Sequence, residues 1–117
     1  MARKDKPISG IYGICCVVTN KWYVGASKDI VERLKYHFRD MRADAELANH
    51  YDNWDFRYRG ELGKDYWLHG ESAFTCHVLA EVGDVKLFPR AEQFFILSLD
   101  AKTDGYNSQL SGTHRSW

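Results

Sequence analysis

The segment SGIYGICCVVTNKWYVG, Ser9 to Gly25, constrains the chain more than any other. Ile8 to Val18 is β-branched and aromatic, which suits a strand buried on both faces. Thr19-Asn20-Lys21 supplies turn chemistry, and Trp22 to Gly25 returns as a second strand. Antiparallel pairing about the Asn20 turn sets Tyr12 and Tyr23 on neighbouring strands, with the register, and therefore the shared face, left open by the pattern. Packing explains one tyrosine–glycine tripeptide. Two of them in one hairpin, Gly10-Ile11-Tyr12 and Tyr23-Val24-Gly25, ask for a further reason.

Beyond the hairpin, Ser27 is an N-cap candidate and Asp29 lies in the first turn against the helix dipole. The spacing predicts a helix to about Ala43, with Val31, Leu34, Phe38 and Met41 as its buried stripe. Arg33 and His37, four positions apart, share a face at the edge of that stripe. Residues 44–60 show no clear period and read as a loop or a short irregular helix. Glu61 to His69 predicts a second short helix stopped by Gly70, and Ala73 to Val82 a third strand. A largely apolar helix follows from Arg90 to Ala101, then a turn at Thr103 to Asn107. The expectation is an α+β fold: a small three-stranded antiparallel sheet flanked by helices in the order ββααβα. A basic N-terminal tail, residues 1–7, precedes a single domain over 8–117.

The chain has 117 residues, 44% of them hydrophobic and 27% charged, as in a globular protein. No apolar run approaches a membrane span and the start resembles no signal peptide, so the reading is a cytoplasmic protein without a membrane partner. Cys15, Cys16 and Cys76 have no metal-ligand spacing, and Cys15 and Cys16 read as small buried hydrophobes. The zero net charge hides a split: residues 1–42 carry an excess of five positive charges and the rest an excess of five negative ones. A basic N-terminal third suits a polyanion, while the acidic remainder argues against strong non-specific DNA affinity.

Glu92 stands in an otherwise apolar helix, where a carboxylate needs a cation, a hydrogen-bond network or a route to solvent. Together, the two tripeptides, Arg33 ten positions after Tyr23, His37 four later, AEQFFI around Glu92 and GYN ending at Asn107 resemble the GIY-YIG nuclease superfamily. LGKDYWLHGESAFTCHVLAEV resembles the helix and third strand of its phage, intron-encoded and organellar branch. The resemblance runs from about Ile8 to Asn107, and the ordered set is specific where each motif alone is weak. It implies the same ββααβα fold and a metal-dependent DNA endonuclease, homing- or phage-type, acting in the cytoplasm as a nucleoid-associated enzyme or in a phage-infected cell. A structure-specific repair or recombination nuclease is the alternative within that class, and a non-catalytic nucleic-acid-binding module is the rival outside it.

The residues implied as catalytic are Tyr12, Tyr23, Arg33, His37, Glu92 and Asn107. Phosphodiester hydrolysis explains why such types meet. Water must be aligned and lose a proton, and charge building on the phosphoryl and leaving 3′ oxygens must be stabilised. One Mg²⁺, which Mn²⁺ can replace, keeps most of its waters and needs one or two carboxylates, so Glu92 alone suffices as the metal ligand. Arg33 offers a guanidinium fork to phosphate. Tyr12 is favoured as general base or water-positioner, its phenol needing help from Lys21, Lys28, Arg33 or the metal. Tyr23 orients water or phosphate, His37 takes a proton from Tyr12 or bonds the phosphate, and Asn107 positions Glu92 or its helix. Lys21, Lys28, Arg57 and Arg59 are the expected DNA contacts, the last two in the NHYDNWDFRYRG insertion. One active site cuts one strand at a time, so a double-strand break needs a homodimer on DNA or two successive nicks. Homing relatives carry a C-terminal DNA-binding region, which leaves this chain as an excised catalytic domain or a stand-alone nuclease.

Overall fold

The computed structural model describes residues 6–53 and 56–107, with side chains 56–59 excepted. The hairpin forms as expected from β1 (Gly10–Cys16) and β2 (Lys21–Ser27), followed by α1 (Ile30–Tyr51), α2 (Phe56–His69), β3 (Phe74–Glu81) and α3 (Phe88–Ser98). The sheet is antiparallel throughout in the order β2-β1-β3, so the fully buried β1 is its centre. β1 ends at Cys16. Val17 and Val18, expected in the strand, are exposed in the turn, where Asn20 takes the left-handed conformation (φ 59°) and its N–H closes on the Cys16 carbonyl at 2.7 Å.

The sheet separates two apolar layers. Tyr12, Ile14 and Cys16 face α1 and α2 with Ile30, Met41, Tyr66 and Phe74. Ile11, Val24 and Ala26 face α3 with Phe88, Ile96 and Ala101. This alternation is the two-residue period of a strand with cores on both sides.

Helix α1 differs from expectation at both ends. Asp29, not Ser27, is its N-cap, accepting from the Glu32 N–H, while Ser27 Oγ bonds the backbone of Asp29. The Ile30 N–H donates to the Ile8 carbonyl, which turns Ile30 into the core and leaves Val31 39% exposed. The buried stripe therefore runs through Ile30, Met41 and Ala48, with Leu34, Phe38 and Ala45 packed beside it. Residues 44–51, read as part of a loop or a short irregular helix, extend α1 instead because Ala45 and Ala48 keep its apolar phase. Phe56 to Gly60 opens α2, which kinks at Gly60 (φ 76°). Residues 1–5 of the expected tail lie outside the described residues.

Candidate active site

Strand register decides what the tripeptides are for. Tyr12 stands opposite Gly25, and Ile14 opposite Tyr23, so both tyrosines share the face turned toward α1 as diagonal neighbours. Their ring centroids are 6.3 Å apart. A Cβ at position 25 would fall on the hydroxyl end of the Tyr12 ring. The glycine of the second tripeptide is thus the floor on which the tyrosine of the first lies. Gly10 answers a different need: with φ at 155° and the β3 carbonyl of Ala80 where its Cβ would sit, it passes the register shift beside Ile11 that brings Tyr12 opposite Val78.

Helix α1 lays His37 across this pair. Its ring centroid is 5.7 Å from that of Tyr12 and 5.3 Å from that of Tyr23, and His37 Nε2 is 2.8 Å from the Tyr12 hydroxyl. Burial, then the positive charge of Arg33, push the imidazole pKa down to about 4, so the ring is neutral at neutral pH. The Tyr12 phenol is 1% exposed, and burial pushes its pKa up, with Tyr23 adding to the rise. A protonated phenol and a neutral imidazole therefore share this bond, and with the imidazole proton on Nδ1 the phenol is the donor. Arg33, one turn before His37, lowers the Tyr12 pKa, and Glu92 raises it. Glu92 comes from α3, in the opposite layer, and is 4% exposed. Two layers and four elements thus bring Tyr23, Arg33, His37 and Glu92 within reach of the Tyr12 phenol.

The GIY-YIG catalytic domain family model matches residues 8–65. The catalytic domain of the intron endonuclease I-TevI, solved as a mutant, superposes with a TM-score of 0.72 at 30% identity, covering 91% of this chain and 98% of that one. The chain belongs to the GIY-YIG family. A second structure, the catalytic domain of homing endonuclease I-TevI, gives a TM-score of 0.69 at 31% identity over 86% of this chain and 98% of that one. Intron-associated endonuclease 1 of Enterobacteria phage T4 is 34% identical over 100 residues, 85% of this chain. This chain spans 36% of that relative's length.

The other expected site residues of this GIY-YIG domain lie further out. Asn107 was expected against Glu92 or its helix; its side chain instead brackets Val24, accepting from the Val24 N–H and donating to the Val24 carbonyl, both at 2.8 Å. β2 is an edge strand, and its outward-facing peptide groups need partners. The Asn107 backbone turns toward the end of α3, its N–H donating to the Ala101 carbonyl. Lys21 is on the Tyr23 face and pairs with Glu61 of α2 at 3.3 Å. Lys28 is exposed ahead of α1. Of the cations expected to act on Tyr12, Arg33 is the one that lowers its pKa among the described residues. The side chains of Arg57 and Arg59 lie outside the described residues.

Sequence reasoning missed Tyr106. Its hydroxyl donates to Asp65 Oδ2 at 2.7 Å and meets Thr19 Oγ1 at 3.0 Å, and its N–H donates to the Trp22 carbonyl. The GYN motif was the available signal, read for its asparagine alone.

Proposed function

We propose that this domain is a metal-dependent DNA endonuclease of homing or phage type, hydrolysing a phosphodiester bond. The observation that carries the reading is the Tyr12–His37 hydrogen bond, held against Tyr23 and beside Arg33, a polar pair set into an otherwise apolar layer. With its pKa raised by burial, Tyr12 acts as a relay rather than as a standing phenolate. Its oxygen takes a proton from water while its own proton passes to His37 Nε2. The water oxygen bonds phosphorus as the bond to the 3′ oxygen breaks. Arg33 holds the phosphoryl oxygens and balances the charge they gain. Tyr23, edge-on to His37, limits the rotation of the ring and lines the water's path.

Glu92 is the residue that would hold a divalent ion. Among the described residues no three His, Cys, Asp or Glu gather to hold a metal. A single carboxylate fits Mg²⁺, or Mn²⁺ in its place, because such an ion keeps several waters and takes further oxygens from the substrate phosphate. When bound, it supplies Lewis-acid stabilisation of the developing oxyanion.

The partner proposed is DNA, cut one strand at a time per site, with a homodimer on DNA as the route to a double-strand break. The likeness to a phage protein supports the cytoplasm of an infected cell as the compartment in which it acts. Supercoiled plasmid incubated with Mg²⁺ or Mn²⁺ tests the reading. Nicking that Tyr12→Phe and Glu92→Ala each lower by at least about a hundredfold is expected, the size of a lost proton-transfer group. Nicking that persists in both variants, or none with either metal, refutes it. Branched substrates cut in preference to plain duplex would shift the assignment to a structure-specific nuclease.

A further inference from the structure

The two free edges of the sheet are treated differently. Along β2, residues 106 and 107 run as a short strap. The Tyr106 N–H donates to the Trp22 carbonyl, and the Asn107 amide pairs with both peptide groups of Val24, so the strap grips the residues on either side of Tyr23. The strap is itself anchored at three points. The Tyr106 hydroxyl reaches Asp65 on α2 and Thr19 in the hairpin turn, and the Asn107 N–H reaches Ala101 just beyond α3. Burial pushes the Tyr106 pKa up, and Asp65 adds to the rise, so the phenol keeps its proton and donates it to the carboxylate.

We propose that Tyr106 is a positioning residue. Through the strap, its bond to Asp65 sets where β2 holds Tyr23 and Gly25 relative to Tyr12 and His37. The hydrogen bonds described for it go to Thr19, Asp65 and the Trp22 carbonyl, not to the reacting groups. A hydrogen bond to an ionised carboxylate is among the stronger ones, and its loss would free the strap to slide along an edge held by three other bonds. Tyr12 fits over Gly25 without clearance for a methyl, so a small movement of β2 changes the Tyr12–His37 geometry directly.

The inference rests on the nuclease reading for its catalytic part, and the test separates the two. The molecule supplies its own control. Tyr66 donates to Glu71 Oε1 at 2.6 Å, a tyrosine–carboxylate bond of the same kind that stands apart from the strap. Tyr106→Phe and Tyr66→Phe are compared for single-turnover nicking, DNA affinity and hydrogen exchange at the Val24 amide, all well below either melting temperature. The expected result is cleavage about tenfold slower in Tyr106→Phe alone, with DNA affinity within twofold of the parent. The Val24 amide, bonded to Asn107, should exchange faster in that variant only. Equal losses in the two variants, or a Tyr106→Phe protein that matches the parent in rate and exchange, would overturn the proposal. If the parent cuts no DNA, the exchange measurement still decides the strap, and the nuclease reading falls separately. Should Tyr106→Phe fail to fold, Asp65→Ala takes its place, removing the acceptor of the same bond.

Discussion

Gly25 and Tyr12 form one unit across the hairpin, and each constrains the other. With the Tyr12 phenol where a side chain at 25 would begin, Gly25→Ala must displace the ring or the strand. Overpacking of this kind costs about 1–3 kcal/mol. We expect a melting temperature lowered accordingly, and nicking reduced by more than the stability loss explains, because the displaced atom is the hydroxyl bonded to His37. An alanine variant with parental rate would mean that the phenol is not held to a fixed position. His37 carries a second residue-scale consequence. Its folded pKa of about 4 lies below the unfolded value of 6.5, so between these the unfolded chain binds the extra proton. Folding stability contributed by the neutral ring is full above pH 6.5 and is lost as pH falls toward 4, by an amount on the order of 3 kcal/mol. Denaturant melts of the parent and His37→Gln at pH 7.5 and 4.5 should differ in slope against pH, with the glutamine variant flatter. Parallel curves would place His37 in a far more solvated setting.

At the scale of elements, α1 is the scaffold, since it carries Arg33 and His37 and covers Tyr12. Its length went unread because the exposed side of 44–51 mixes Glu46, Asn49 and His50 with Leu47 and Tyr51, and only Ala45 and Ala48 maintain the buried phase. Two alanines make a faint stripe beside the branched and aromatic one that precedes them. The phase error at Val31 has a similar cause: Ile30 and Val31 are equally apolar, and the bond from the Ile30 N–H to Ile8, a tertiary contact, chose between them. The hairpin, by contrast, was legible because strand propensity, turn residues and glycine placement agree there. The helix ends at Asp52, which takes the left-handed conformation with φ at 54° and returns its N–H to the Ala48 and Asn49 carbonyls. Aspartate tolerates that region less well than glycine. Asp52→Gly is therefore expected to raise stability by about 0.5 kcal/mol, read as a higher denaturant midpoint, with nicking unchanged. A destabilised variant would show that the aspartate side chain contributes more than its backbone strain costs.

Across the whole molecule, the candidate site lies where the two layers meet around β2, with tyrosines and imidazole from one side and Glu92 from the other. Its membership could be read from spaced motifs. Its supports could not, since the bond of Asn107 to Val24 and of Tyr106 to Asp65 join residues 83 and 41 positions apart with no periodicity to announce them. Both layers close on apolar side chains, which sets the expectation for metal removal. An ion held by one protein carboxylate and completed by substrate oxygens stabilises the free protein little. If half-filled at the concentration supplied, it contributes only about 0.4 kcal/mol, and even at tenfold excess about 1.4 kcal/mol. Chelation should thus abolish nicking while the melting temperature of the DNA-free protein moves by no more than about 6 °C, and Mg²⁺ should restore activity without refolding. In the presence of DNA the shift should grow, because phosphate oxygens then complete the ion's coordination. A chelated protein that unfolds would instead demand a multi-ligand structural site, and such a site would have to recruit groups beyond those described here.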